Sequence, residues 1–135
     1  MRPVAVLVFV SVAVGVLTVV PAGLVEGPGH WACGAVAFGL SVPAAAATLA
    51  LTRWLAPRYR LGVLIGITVG PVVRAVVVLG AAAGVFLAAR ASGESDLAHP
   101  LKFWLWVLFA YLVTLAVETA LLIRTAADTR LTGGR

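Results

Sequence analysis

Four long apolar runs dominate this chain, at about Pro3–Val20, Trp31–Leu51, Leu61–Ala89 and Leu101–Ile123. Each meets the ~17–25 residues that a helix needs to cross a bilayer. Each is also too evenly apolar for a helix at the edge of a soluble core, which shows one polar face. In hydrocarbon no water satisfies backbone N–H and C=O groups, so spans of this kind fold as helices. The 135 residues are 62% hydrophobic and only 11% charged, where a soluble domain carries about 25% charged residues. The runs therefore predict an all-α integral membrane protein: a four-helix bundle made of two antiparallel transmembrane hairpins. It forms a single domain over residues 1–135, with a short polar tail at 125–135.

Charge outside the runs sets the expected orientation. Arg2 precedes the first run; Arg53, Arg58 and Arg60 cluster in the second connection; Arg124, Arg130 and Arg135 follow the fourth run. The first connection holds Glu26 and His30, and the third holds Glu94, Asp96 and His99 between Arg90 and Lys102. Arginine and lysine collect on the cytoplasmic side. Both termini and the second connection of this multi-pass chain are thus expected in the cytoplasm. The net charge of +5 comes from these topology signals, and nucleic acid is not an expected partner. Arg2, the first run and Val20-Pro21-Ala22 loosely resemble a cleaved signal peptide. Proline before the cut and the length of the run favour a retained span.

Pro21-Ala22-Gly23 and Gly27-Pro28-Gly29 make the first connection a tight turn, and Pro100 suits the first turn of the fourth helix. The third run is longer than a span requires, so it is expected to tilt, to kink at Pro71, or to project beyond the headgroups. Trp31, Trp54, Tyr59, Trp104 and Trp106 fall near span ends, where aromatic anchors sit. Cys33 is the only cysteine, which excludes an intramolecular disulfide and predicts a buried structural thiol.

Arg74 lies near the middle of the third run, and Glu118 lies inside the fourth. A charge at the bilayer centre costs at least ~2.5–3.5 kcal/mol, so it faces protein or water and finds a partner. Gly62, Gly66 and Gly70 step by four residues into Arg74. Small residues let helix backbones approach closely in lipid, so this register places Arg74 on a helix–helix seam. On the fourth run Tyr111, Thr114, Glu118 and Thr125 share one face. Arg74 lies about 13 residues, or ~20 Å, from the cytoplasmic end of its helix, and Glu118 about 5 residues, or ~8 Å. Side chains lean toward the N-terminus of their helix, so the two lean toward each other. A direct bridge is marginal at this offset; one through water or Thr114 is easy. The pair reads as a fixed helix bridge, a docking charge in the membrane plane, or a thin ion relay.

Other chemistry is not visible. No phosphate-binding glycine loop, no H-E-x-x-H and no nucleophile with a base at a defined spacing occurs, so an enzyme is not expected. His30 and His99 read as solvated caps, since no carboxylate spacing accompanies them to define a metal site. No cofactor is implied.

The layout resembles the ATP synthase protein I family, accessory membrane proteins of bacterial F-type ATP synthases. Gly34-Ala35-Val36-Ala37-Phe38-Gly39-Leu40-Ser41-Val42-Pro43 is similar to that family's glycine-rich second span ending near a proline. Gly70 followed by Arg74 resembles its glycine–basic pair. Phe103-Trp104-Leu105-Trp106, Tyr111 and Glu118 resemble its aromatic-entry fourth span with a late polar residue. Ala44 stands where members often carry Asn, and Pro71 where they often carry an acid; an ion-handling role that needs those groups is missing here. The resemblance implies a bacterial inner membrane and a scaffold for assembling or stabilising the ring of c subunits, with magnesium supply as an additional role. Its implied partners are the synthase's membrane subunits, the c-ring and the a subunit; the apolar spans imply the lipid bilayer, and a homo-oligomer stands as an open alternative. The other class is a small oligomeric ion channel or transporter, for magnesium or protons, using Arg74 and Glu118. Small multidrug transporters carry an essential Glu in their first span, which this chain lacks, and fluoride channels place glycine and arginine differently in theirs.

Overall fold

The structure, a computed structural model, describes residues 2–55, 62–94 and 97–132, and the side chains of 3–55, 68–94 and 97–124. Four helices follow in order: α1 (Arg2–Glu26), α2 (Pro28–Leu55), α3 (Gly62–Ser92) and α4 (Pro100–Thr132). Each carries a stretch long and apolar enough to cross a bilayer: Pro3–Glu26, Pro28–Leu55, Thr68–Ser92 and Pro100–Arg124. The protein is an all-α four-helix membrane bundle.

The helix ends differ from the expected ones for local reasons. α1 runs on through Pro21 to Glu26, so only the second of the two Gly/Pro clusters makes the turn. Proline removes one helical hydrogen bond, a loss that transmembrane helices tolerate. The stop comes at Gly27, whose φ of +103° suits glycine. Its N–H donates to Gly23 O at 3.2 Å, closing α1, and its own carbonyl accepts from His30 N–H at 3.2 Å in the first turn of α2. Pro28 sits at the first position of α2, where its missing N–H costs nothing. α3 ends in a Schellman motif: Gly93 has φ +75°, and Glu94 N–H donates to Ala89 O at 3.0 Å. α4 begins at Pro100, and its helical backbone continues through the tail to Thr132.

α2 packs against all three other helices, α4 also touches α1 and α3, and α1 and α3 do not meet among the described residues. The bundle is thus a rhombus with α2 and α4 on the short diagonal. Those two run parallel, since His30, Phe38 and Thr48 meet Trp106, Phe109 and Glu118 in the same order. α3 and α4 are joined by long side chains, with Phe86 against Phe103 and Trp104, and Arg74 against Tyr111.

Polarity is inverted relative to a soluble bundle. Large apolar residues such as Phe9, Leu17, Val76, Leu87 and Leu101 face outward, while Ser11, Ser41, Thr52, Arg74, Thr114 and Glu118 are buried. Lipid solvates leucine as well as another leucine does, so helix association rests on close packing and polar contacts. Two apolar clusters fill the interior. One holds Phe38, Val42, Val78, Ala82, Phe103 and Val107, and the other Leu7, Ala45 and Leu49.

Among the described glycines, the tight contacts lie between α1 and α2. A Cβ added at Gly34 would lie 2.5 Å from Val19 Cγ2, and one at Gly15 would lie 3.1 Å from the Phe38 ring. A Cβ at Gly23 would overlap the Trp31 indole. Gly70 is half-buried, but a Cβ there would meet nothing within 4 Å, and the same holds at Gly39, Gly80 and Gly84. The side-chain surroundings of Gly62 and Gly66 lie outside the described residues. α3 packs along a strip of Arg74, Val78, Ala82 and Ala89, which runs from the arginine toward the helix C-terminus and away from Gly70.

Candidate functional site: a charged network inside the bundle

Helical spacing puts two charges on core positions. The buried strip of α4 reads Phe103, Val107, Ala110, Thr114, Glu118, in steps of three and four that keep one face. Thr114 and Glu118 therefore continue a packing surface. On α3, Arg74 heads the strip that carries Val78 and Ala82. The largest fully buried side chain among the described residues is thus an arginine, 1% exposed.

The pair is bonded directly. Arg74 Nη1 donates to Glu118 Oε2. Arg74 Nη2 donates to Thr114 Oγ1 and, at 3.0 Å, to the carbonyl of Tyr111. Thr114 Oγ1 passes the chain on by donating to Ala110 O at 2.9 Å. The direct bridge that the expected backbone offset made marginal is therefore formed. Thr114 assists the bridge; it does not relay it. The Tyr111 ring lies under the guanidinium, 4.8 Å from ring centre to Cζ, close enough for a cation–π contribution. The Tyr111 hydroxyl donates to Pro71 O at 3.0 Å, tying α4 back to α3.

α2 supplies the remaining contact. Thr48 Oγ1 lies 3.2 Å from Glu118 Oε1 as a donor, and 3.1 Å from Ala44 O. Sequence reading missed Thr48. The signal was present: Ser41, Ala45, Thr48 and Thr52 fall at helical spacing within a run of alanines, and Ser41, Ala45 and Thr52 are buried. Three helices therefore converge on one carboxylate and one guanidinium. Arg74 Nε alone of the arginine's nitrogens has no partner, and Ser11 Oγ and Ser41 Oγ share that condition.

The other candidate residues separate. Gly34 packs against Val19 of α1. Gly39 and Pro43 are exposed and line an apolar groove of about 410 Å³ between α1 and α2, away from the charged pair. Cys33 is fully buried. Thr125, Tyr59 and the arginines Arg58, Arg60, Arg130 and Arg135 lie outside the described side chains. His99 is exposed, but His30 is no solvated cap. Its Nδ1 accepts from Trp106 Nε1–H at 3.1 Å, and its Nε2 lies 2.8 Å from Glu26 Oε2. Among the described residues no three of His, Cys, Asp and Glu gather to hold a metal ion.

Chemically, the network is a neutralised strut. A buried ion pair is tolerated where further hydrogen bonds support both groups; here Thr48 serves the carboxylate, and Thr114 and the Tyr111 carbonyl serve Nη2 of the guanidinium, leaving only Nε without a partner. The charges point inward: the Glu118 side chain is 6% exposed and that of Arg74 0%. Neither is offered to a partner in the membrane plane. Comparison with protein-family models, with curated proteins and with solved structures found no match to this chain.

Proposed function

We propose that this protein is a non-enzymatic accessory membrane protein of a rotary F-type ATP synthase, assisting assembly or stability of its c-ring. The observation that carries the reading is the inward-facing, mutually paired charge network, which leaves helix faces of valine, leucine and phenylalanine as the outer surface. A scaffold for other membrane helices needs a bundle that holds its own shape while presenting such faces. A transporter needs its charges to reach water. The partner class comes from the resemblance of the second, third and fourth spans to the ATP synthase protein I family. Residence in a bacterial inner membrane belongs to the same proposal and rests on that resemblance, while the cytoplasmic placing of both termini rests on the arginine distribution.

The test is affinity purification from native membranes in mild detergent, with the synthase's c and a subunits expected in the eluate. Recovery of neither sinks the reading. A second reading, an oligomeric channel or transporter for magnesium or protons, draws on Arg74 Nε, a buried donor without a partner beside a carboxylate. Liposomes carrying the purified protein are expected to be silent. Ion flux that Glu118→Gln alters supports the second reading instead.

A further inference from the structure

The connection-bearing end of the bundle holds a groove of about 300 Å³ between α1 and α4, lined by Ala22, Glu26, His30, Lys102, Trp106 and Phe109 among others. Glu26 closes the apolar stretch of α1, and Lys102 lies in the first turn of α4. Both charges therefore stand at headgroup depth, on opposite walls, while Ala22 and Phe109 continue the groove into the apolar zone. We propose that this groove binds one zwitterionic glycerophospholipid with a primary ammonium in its headgroup, a phosphatidylethanolamine.

The hydrogen bonds of the wall define the charge pattern. Indole Nε1–H can only donate, so His30 Nδ1 accepts from it and carries no proton. The imidazole proton then lies on Nε2, directed at Glu26 Oε2 across 2.8 Å. The Trp106 and His30 donors are both used, and His30 is neutral in this arrangement. Glu26 keeps its second oxygen, and its side chain is 59% exposed. Lys102 makes no hydrogen bond or ion pair among the described residues. What remains for a ligand is one carboxylate on α1 and one ammonium on α4.

That pattern matches a headgroup with a cation and an anion. The lipid's ammonium donates to Glu26, its phosphate accepts from Lys102, and an acyl chain runs past Ala22 and Phe109. An anionic headgroup meets Lys102 but is repelled by Glu26. A choline headgroup carries the right charges but has no N–H to donate to the carboxylate. Charge-assisted hydrogen bonds of this kind are the strong ones, so losing one is expected to weaken binding about tenfold, the equivalent of about 1.4 kcal/mol.

The experiment is native mass spectrometry of delipidated protein titrated with phosphatidylethanolamine, phosphatidylcholine and phosphatidylglycerol of identical acyl chains. The full chain is expected to retain one phosphatidylethanolamine, with about tenfold weaker retention of the other two. Glu26→Gln is expected to reduce phosphatidylethanolamine to the choline level and to raise phosphatidylglycerol, because Lys102 is then unopposed. Lys102→Gln is expected to weaken both. Ala22→Trp, which fills the groove and leaves the charges in place, is expected to abolish retention. Equal retention of the three lipids, or an ethanolamine preference that survives all three substitutions, overturns the proposal.

Discussion

An arginine inside a bilayer is stable only as part of a larger polar group, and Arg74 shows how many partners that takes. One carboxylate neutralises it, a threonine and a backbone carbonyl occupy Nη2, and an aromatic face lies beneath it. Removing one member of such a pair strands the other, at ~3–5 kcal/mol, whereas replacing both with apolar residues of similar volume is often tolerated. Glu118→Ala is therefore expected to destabilise the bundle by about that amount. Arg74→Met combined with Glu118→Leu should recover most of the loss in reversible denaturation measured in mixed micelles. A double variant no better than Glu118→Ala shows that the charges are not coupled. Both charges were legible in the sequence, because hydrocarbon makes any charge conspicuous. Thr48 was legible only as part of a small polar stripe with Ser41 and Thr52, since nothing in that stripe names the carboxylate it meets.

At the level of the helices, identical residues have opposite roles according to the face they occupy. Gly34 meets Val19, a β-branched side chain with little freedom to move aside. Gly39 and Gly70 have room for a methyl group. Gly34→Ala is expected to cost about 1–3 kcal/mol through overpacking. At Gly39 or Gly70 alanine should be neutral or stabilising by up to ~1 kcal/mol, its advantage over glycine within a helix. Comparative thermal melting in one detergent checks the contrast, and equal shifts at Gly34 and Gly39 would contradict it. The four-residue glycine step marks a possible contact surface on α3: Arg74 at its end is buried, Gly70 has room around it, and the surroundings of Gly62 and Gly66 lie outside the described residues. Spacing cannot say which of several small-residue faces meets another helix. The stop of α1 has the same character: Pro21 and Gly27 are both breakers on paper, but only the glycine adopts the positive φ that turns the chain.

For the whole molecule, the arginines near the helix ends predict an orientation. A fluorescent protein fused after Arg135 is expected to mature in the cytoplasm, and a phosphatase inserted at Gly93 to be active outside, as the positive-inside rule requires. The reverse pattern would move the Glu26–Lys102 groove to the cytoplasmic leaflet. The spans, their helical state and the membrane environment are readable from the residues alone. Hydrocarbon imposes its demands locally: each stretch must be long enough, apolar enough and internally hydrogen-bonded, whatever its neighbours do. Tertiary structure decided the rest. It placed α2 against every other helix, set tight glycine contacts between α1 and α2, added Thr48 to the charged pair, and drew His30 between Trp106 and Glu26. The physical reason is that lipid and protein interior are equally apolar, so hydrophobicity marks no inner face on these helices. Which face packs depends on the fit between side chains far apart in the chain.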